Sequence, residues 1–135
     1  MHFDFPQKVL FKHCDPAGIV FYPRHLEMIN DAVEALFCDV LGWPFEEMLR
    51  TGGVPTAELN VRFKRPCRHG NRLVLRLTLT RLGRSSLALT THATRGEELC
   101  FEADQVLVFV GADGRPAPWP EQVKDRIHAL METNA

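Results

Sequence analysis

One carboxylate stands out in the first part of the chain. Asp15 lies in the stretch His13-Cys14-Asp15-Pro16-Ala17-Gly18-Ile19-Val20-Phe21-Tyr22-Pro23, just ahead of the longest apolar-periodic segment. An aspartate inside an otherwise hydrophobic run costs on the order of a few kcal/mol if it is buried without a partner. Chemistry would be a reason to keep it there, because a lone carboxylate can attack a carbonyl carbon or activate water to do so. Turn formation is the other reason, since Asp before Pro with Gly close behind is ordinary turn composition. The spacing alone leaves both open. A helix starting just after this loop would add free backbone N–H groups and the positive end of its dipole, which suit a developing oxyanion.

Other reactive side chains form no comparable pattern. Cys14, Cys38, Cys67 and Cys100 are widely spaced with no Cys-x-x-Cys pair, which argues for reduced, partly buried thiols over a zinc site or disulfide framework. Cys14 adjoins Asp15 but has no His-Asn partner pattern to make it a nucleophile. The six histidines show no ligand spacing, there is no Gly-x-Ser-x-Gly elbow, and Gly52-Gly53 lacks the rest of a phosphate-binding fingerprint. No metal and no cofactor are expected. Arg62, Lys64, Arg65, Arg68 and Arg72 crowd one stretch, either as arginine forks for phosphate or as a solvated strand face. His13 reads as a solvent-facing residue ahead of the loop.

The elements that must position Asp15 follow from periodicity. Leu26, Ile29, Val33, Leu36, Phe37 and Val40 recur at steps of three and four, the stripe of an amphipathic helix. Pro23 suits its first turn and Gly42 its stop, giving roughly nineteen residues and about 28 Å. Val9-Leu10-Phe11 reads as a short buried strand, and Phe45 to Arg50 as a short helix. Ala57, Leu59, Val61 and Phe63 alternate with polar residues, as do Leu73 to Leu79 and Leu87 to Ala93. After the turn at Arg95-Gly96-Glu97, Leu99 to Val110 is apolar at nearly every position, as in a central strand. Asp113-Gly114-Arg115-Pro116 is another turn. Glu121 to Met131 reads as a terminal helix with a frayed tail beyond it. An early strand, one long helix and four successive strands make an α+β pattern.

With 135 residues and 45% hydrophobic content, the chain has material for one core and a single domain, 1–135. A net charge of −1 gives no general attraction to nucleic acid or to an anionic membrane. No run approaches a membrane span, and Met1-His2-Phe3-Asp4 does not start like a signal peptide, so a cytoplasmic location is expected.

The run Asp15 to Pro23 resembles the signature of the 4-hydroxybenzoyl-CoA thioesterase family of hotdog-fold enzymes. The likeness continues through Gly53-Val54-Pro55-Thr56, Val61-Arg62-Phe63 and Asp104-Gln105-Val106. It implies an antiparallel sheet wrapped around one long central helix, and an acyl-CoA thioesterase with coenzyme A as part of the substrate. It implies Asp15 as nucleophile or general base, and the backbone N–H of Tyr22 as oxyanion donor. Thr56, Arg84, Ser85 and Arg115 become substrate-binding candidates, the Gly83-Arg84-Ser85-Ser86 turn resembling one that meets the nucleotide. The resemblance also implies homo-oligomers, a dimer or a dimer of dimers, with active sites between subunits. Tyr22 stands where related Tol-Pal-associated thioesterases carry a histidine. Asn30 stands where the namesake enzymes carry an aspartate that receives a phenolic hydroxyl, so aryl or medium acyl groups without a strict para-hydroxyl are expected. Competing readings are a hotdog hydratase or dehydratase, which needs an acid/base pair, and a non-catalytic module binding a CoA ligand or nucleic acid through Arg62 to Arg72.

Overall fold

The apolar stripe becomes α1, Tyr22–Asp39, in the computed structural model, which describes residues 2–132. Phe21 precedes it in an extended conformation and Pro23 occupies the first turn, where a missing N–H costs nothing. Gly42, at φ +63°, turns the chain away in the left-handed region past the helix end. Met28, Ile29, Ala32, Val33, Leu36 and Phe37 are buried along one face. Val40, expected to complete the stripe, lies past the last helical residue and is 36% exposed.

This face packs against a five-stranded antiparallel sheet. Its strands are β1 (His2–Lys8), β3 (Thr56–Phe63), β4 (Arg72–Leu82), β5 (Ser86–Arg95) and β6 (Glu98–Val108), in the order β1-β4-β5-β6-β3. Period-two alternation sends Leu73, Leu75, Leu77 and Leu79 of β4 inward, with Leu87, Leu89 and Ala93 of β5 and Phe101, Ala103 and Leu107 of β6. Each large apolar side chain so buried contributes roughly 1.5–3 kcal/mol. Two further elements are small: α2 (Phe45–Met48), and a two-residue pairing of β2 (Gly52–Gly53) with β7 (Val110–Gly111). A last helix, α3 (Glu121–Glu132), buries Val123, Ile127 and Leu130, and its Arg126 Nη1 donates to the Leu41 carbonyl at 2.6 Å. No helix among the described residues is long and apolar enough to cross a membrane.

Four expectations need correction. The first strand is β1, not Val9 to Phe11: Val9 is buried, but Phe11 starts a single 3₁₀ turn, Phe11–His13, and is 81% exposed. The centre of the sheet is β5; β6 has neighbours on both sides but lies one place off centre. The second helix stops at Met48, short of Arg50. The alternation in β3 is real, yet Leu59 and Phe63 remain 40% and 48% exposed. Edge position explains this, because among the described residues β3 pairs only with β6 and has no strand on its far side. The frayed tail lies in residues 133–135, outside the described residues.

Candidate active site

Asp15 sits on a tight loop that the backbone fastens shut. Its N–H donates to the Ile19 carbonyl at 3.0 Å, and Gly18 N–H donates to the Asp15 carbonyl at 2.9 Å. Gly18 holds φ +80°, a conformation that costs glycine little. Further bonds run from Val20 N–H to the Cys67 carbonyl and from Phe21 N–H to the His13 carbonyl, at 2.8 and 2.9 Å. The half-buried carboxylate uses Oδ1 to accept Ala17 N–H at 2.9 Å. That is turn chemistry, and it leaves Oδ2 without a protein partner among the described residues. The turn reading of Asp15 is thus met, and one carboxylate oxygen stays free of it.

His13 does not face solvent. It is 7% exposed, and its Nδ1 accepts the Leu10 N–H at 2.9 Å, pinning the turn that leads into the loop. Burial, with Lys12 nearby, lowers its pKa. A histidine two residues before the aspartate is thus a structural post for the loop.

The loop feeds directly into α1. At a helix start the first N–H groups have no intrahelical acceptor, and Pro23 carries none, so the Tyr22 N–H is unclaimed by any backbone acceptor among the described residues. Beside it opens a cavity of about 300 Å³ lined by Ile19, Val20, Tyr22, His25, Phe63 and the segment Lys64 to Cys67. The ring of Phe63 stands 6.3 Å from that of Tyr22 and 5.9 Å from His25. This arrangement can hold an apolar, flat group next to a backbone donor, at the helix start that the Asp15 loop leads into.

His25 was not anticipated as part of this wall. It is 4% exposed, lies 4.5 Å from the Phe101 ring, and its Nδ1 has no partner. Burial, and secondarily His13, push its pKa down to about 4 from an ordinary 6.5. The folded chain therefore binds fewer protons than the unfolded chain between about pH 4 and 6.5, so stability is full above that window and falls as pH drops through it. From pH 7.5 to pH 5 we expect His25 to cost about 2 kcal/mol of unfolding free energy, with His13 adding in the same direction. Urea titrations at the two pH values should show a clearly smaller difference in His25→Phe; an equal difference would mean His25 is not buried neutral.

The remaining sequence-named residues lie elsewhere. Thr56 opens β3 and pairs with Leu107, while Phe63, beside Tyr22, pairs with Phe101 at the other end of the strand. Seven residue-to-residue steps of strand separate them, about 23 Å. Arg84 and Ser85 lie in the β4–β5 turn, whose carbonyls accept Trp119 N–H and Phe109 N–H, and Arg115 lies in the turn after β7. Both turns attach to the segment around Phe109, at the Thr56 end of the sheet. Asn30 is exposed on α1 and does not line the 300 Å³ cavity. Within one chain the residues thus fall into two groups: Asp15 with Tyr22, and Thr56 with Arg84, Ser85 and Arg115. The Arg62 to Arg72 cluster is largely a strand face, since Arg62 pairs with Glu102 and Asp104, Lys64 with Glu102 and Arg65 with Glu98. All four cysteines are free thiols, two of them buried.

Comparisons with known proteins bear on the fold and the family. A 1,4-dihydroxy-2-naphthoyl-CoA hydrolase of Synechococcus elongatus is 24% identical over 127 residues, 91% of this chain and 93% of that protein. A 1,4-dihydroxy-2-naphthoyl-CoA thioesterase from Synechocystis superposes with a TM-score of 0.88 at 21% identity, covering 96% of this chain and 98% of the other. The crystal structure of a 4-hydroxybenzoyl-CoA thioesterase mutant complexed with 4-hydroxybenzoyl-CoA gives 0.84 at 24% identity, over 93% and 98%. The expected hotdog fold is the fold of these neighbours. The sequence model of the thioesterase-like superfamily matches residues 9–127, from the buried Val9 to the last core residue but one of α3, and the chain belongs to that superfamily.

Proposed function

We propose that the chain is an acyl-CoA thioesterase that hydrolyses aryl-CoA thioesters to the free acid and coenzyme A. The observation that carries this reading is the loop-to-helix junction. There an unclaimed helix-start N–H and an aromatic-walled cavity adjoin, and the loop that ends in them carries Asp15, whose Oδ2 has no protein partner among the described residues. Asp15 supplies the attacking group or the base for water, and Tyr22 N–H steadies the oxyanion. The relatives that act on naphthoyl- and hydroxybenzoyl-CoA support a flat acyl group. The direct test is thiol release from a panel of benzoyl-, 4-hydroxybenzoyl-, phenylacetyl- and octanoyl-CoA. No release above the uncatalysed rate from any of them sinks the reading, and hydration of an enoyl-CoA instead would establish the hydratase alternative.

The site is completed by a second copy of the chain. The uncovered edge of β3 carries unpaired backbone groups and half-exposed apolar side chains, which pairing with another β3 would satisfy. Antiparallel pairing about the strand's middle sets Thr56 of one chain opposite Phe63 of the other. The two groups of site residues, 23 Å apart in one chain by the estimate above, then meet across the pair.

Arg84 and Arg115 lie in exposed turns at that end of the sheet, and neither guanidinium is in an ion pair among the described residues. They suit the 3′-phosphate and pyrophosphate of coenzyme A. Replacing either by Ala should raise KM for an acyl-CoA and leave the matching acyl-pantetheine thioester unaffected. Equal losses on both substrates would show that the arginine acts through the turn's structure.

Asn30, exposed on α1 and outside the one-chain cavity, is assigned to the acyl group on the family resemblance alone. An aspartate there would be left unpaired by an unsubstituted ring, a mismatch that can cost roughly 10⁴-fold. A neutral amide both donates and accepts, so the penalty should be small. We expect kcat/KM for 4-hydroxybenzoyl-CoA and benzoyl-CoA to agree within about tenfold, or ~1.4 kcal/mol. A preference above roughly a thousandfold would restore a strict demand for the hydroxyl.

A further inference from the structure

Gln105 is a polar residue in a core position. It points to the inner face of β6 between Ala103 and Leu107 and is 6% exposed. An apolar side chain would satisfy the packing there without the cost of burying an amide. Its Nε2 donates to Thr56 Oγ1 at 2.9 Å, and its Oε1 is buried with no partner. Buried polar atoms without partners are rare, so a half-satisfied amide in this position calls for a reason. Thr56 is exposed at the free edge of β3. A threonine hydroxyl has one proton. With its oxygen accepting from Gln105, that proton is left to be donated outward.

We propose that Gln105 is a positioning residue for thioester hydrolysis: it fixes the Thr56 hydroxyl as a hydrogen-bond donor to the thioester carbonyl oxygen. The inference rests on the thioesterase reading and on the two-chain site described above. Pairing of the β3 edges sets Thr56 of one chain against Phe63 of the other, whose ring stands 6.3 Å from that of Tyr22. The Tyr22 N–H of one chain and the Thr56 O–H of the other then address the same developing oxyanion. No proton is transferred by Thr56; it donates throughout, and its direction is set by the amide behind it. A merely structural Gln105 would tie β3 to β6 and have no bearing on which way the hydroxyl points.

Charge at Gln105 separates the two roles. In Gln105→Glu the ionised carboxylate accepts the Thr56 proton and turns the donor inward; the protonated acid can donate as the amide did. A carboxyl buried here titrates above the ordinary range, which brings the switch into an accessible pH span. We measure kcat and KM for the best acyl-CoA from pH 5.5 to 8.5, each variant as a ratio to wild type at the same pH. Expected for Gln105→Glu is a kcat ratio at least about tenfold down at pH 8, below the usual loss for a full oxyanion donor, with KM little changed. The ratio should climb toward wild type as pH falls. Thr56→Val should lose about as much kcat at every pH, Thr56→Ser should stay within about threefold of wild type, and Thr56→Val/Gln105→Glu should lack the pH step. A pH step that persists in the double variant, or an unchanged kcat in Thr56→Val, overturns the proposal. Should Gln105→Glu fail to fold, the uncharged Gln105→Met takes its place: it should lower kcat with KM little changed and have no further effect in Thr56→Val, and an unchanged kcat overturns the proposal. A wild type that releases no thiol from any acyl-CoA overturns the thioesterase reading and this inference together; an active wild type with an indifferent Thr56→Val overturns this inference alone.

Discussion

Asp15→Asn should lower kcat at least about a hundredfold, ~2.7 kcal/mol in transition-state stabilisation, and leave fold and substrate binding nearly intact. The structural side of Asp15 survives the change, because an amide oxygen can still accept the Ala17 N–H and the other loop bonds are backbone to backbone. What is lost is the basicity and nucleophilicity of the second oxygen, and only a chemical role feels that loss. Melting temperature, KM and kcat therefore divide the two roles that the sequence leaves open. A turn-former alone predicts unchanged kinetics. A variant that keeps more than half of the wild-type kcat on its best substrate would remove Asp15 from the mechanism.

Why the loop could be read and the site could not comes down to locality. Pro16, Gly18 and Pro23 fix their neighbourhood through their own backbone preferences, so the turn and the start of α1 are written where they occur. The same holds for the leucines of β4 and β5, whose alternation needs only the sheet's pleat. β1 was missed because its inward residues are Phe3, Phe5 and Gln7, only partly buried on an edge strand that also contains Pro6. The neighbouring apolar run Val9-Leu10-Phe11 looked stronger, yet it bends into a 3₁₀ turn once His13 Nδ1 takes the Leu10 N–H.

His13, His25 and Gln105 were illegible for a different reason. Each is polar in an apolar setting; His13 takes a local bond from Leu10 that its type does not announce, and the other two depend on what the fold brings against them from far along the chain: Phe101 against His25, Thr56 against Gln105. A signal did exist for Gln105. It is the one inward residue of β6 out of keeping with Phe101, Ala103 and Leu107, and a polar residue in the core phase of a strand is the informative exception. The apolar phase of β3 gives the reverse case. Ala57, Leu59, Val61 and Phe63 carry a core pattern, yet only Val61 is even partly buried, and on the proposed two-chain site the rest are covered by a second β3.

That last point leads to the second large effect. Leu59→Asp should convert the protein to 15.4 kDa monomers and lower kcat/KM at least about a hundredfold, while the single chain stays folded. Leu59 is 40% exposed in one chain, so a carboxylate there keeps its water and disturbs little of the internal packing. Across paired β3 edges it would be buried near its own symmetry mate, where two like charges oppose association. A lysine would be a weaker test, since its long stem can carry the charge out to water. Sedimentation gives the mass, and thiol release on the same samples gives the activity. A monomer with full activity would sink the two-chain site, and a fully active dimer would place the interface elsewhere. Mixing denatured Asp15→Asn and Thr56→Val chains and refolding them together sharpens the test. Each mixed dimer then holds one site with both residues intact, and random pairing makes about half the dimers mixed, so about a quarter of all sites should regain wild-type turnover. Activity no greater than the average of the two variants would mean that Asp15 and Thr56 do not serve a common site across the pair.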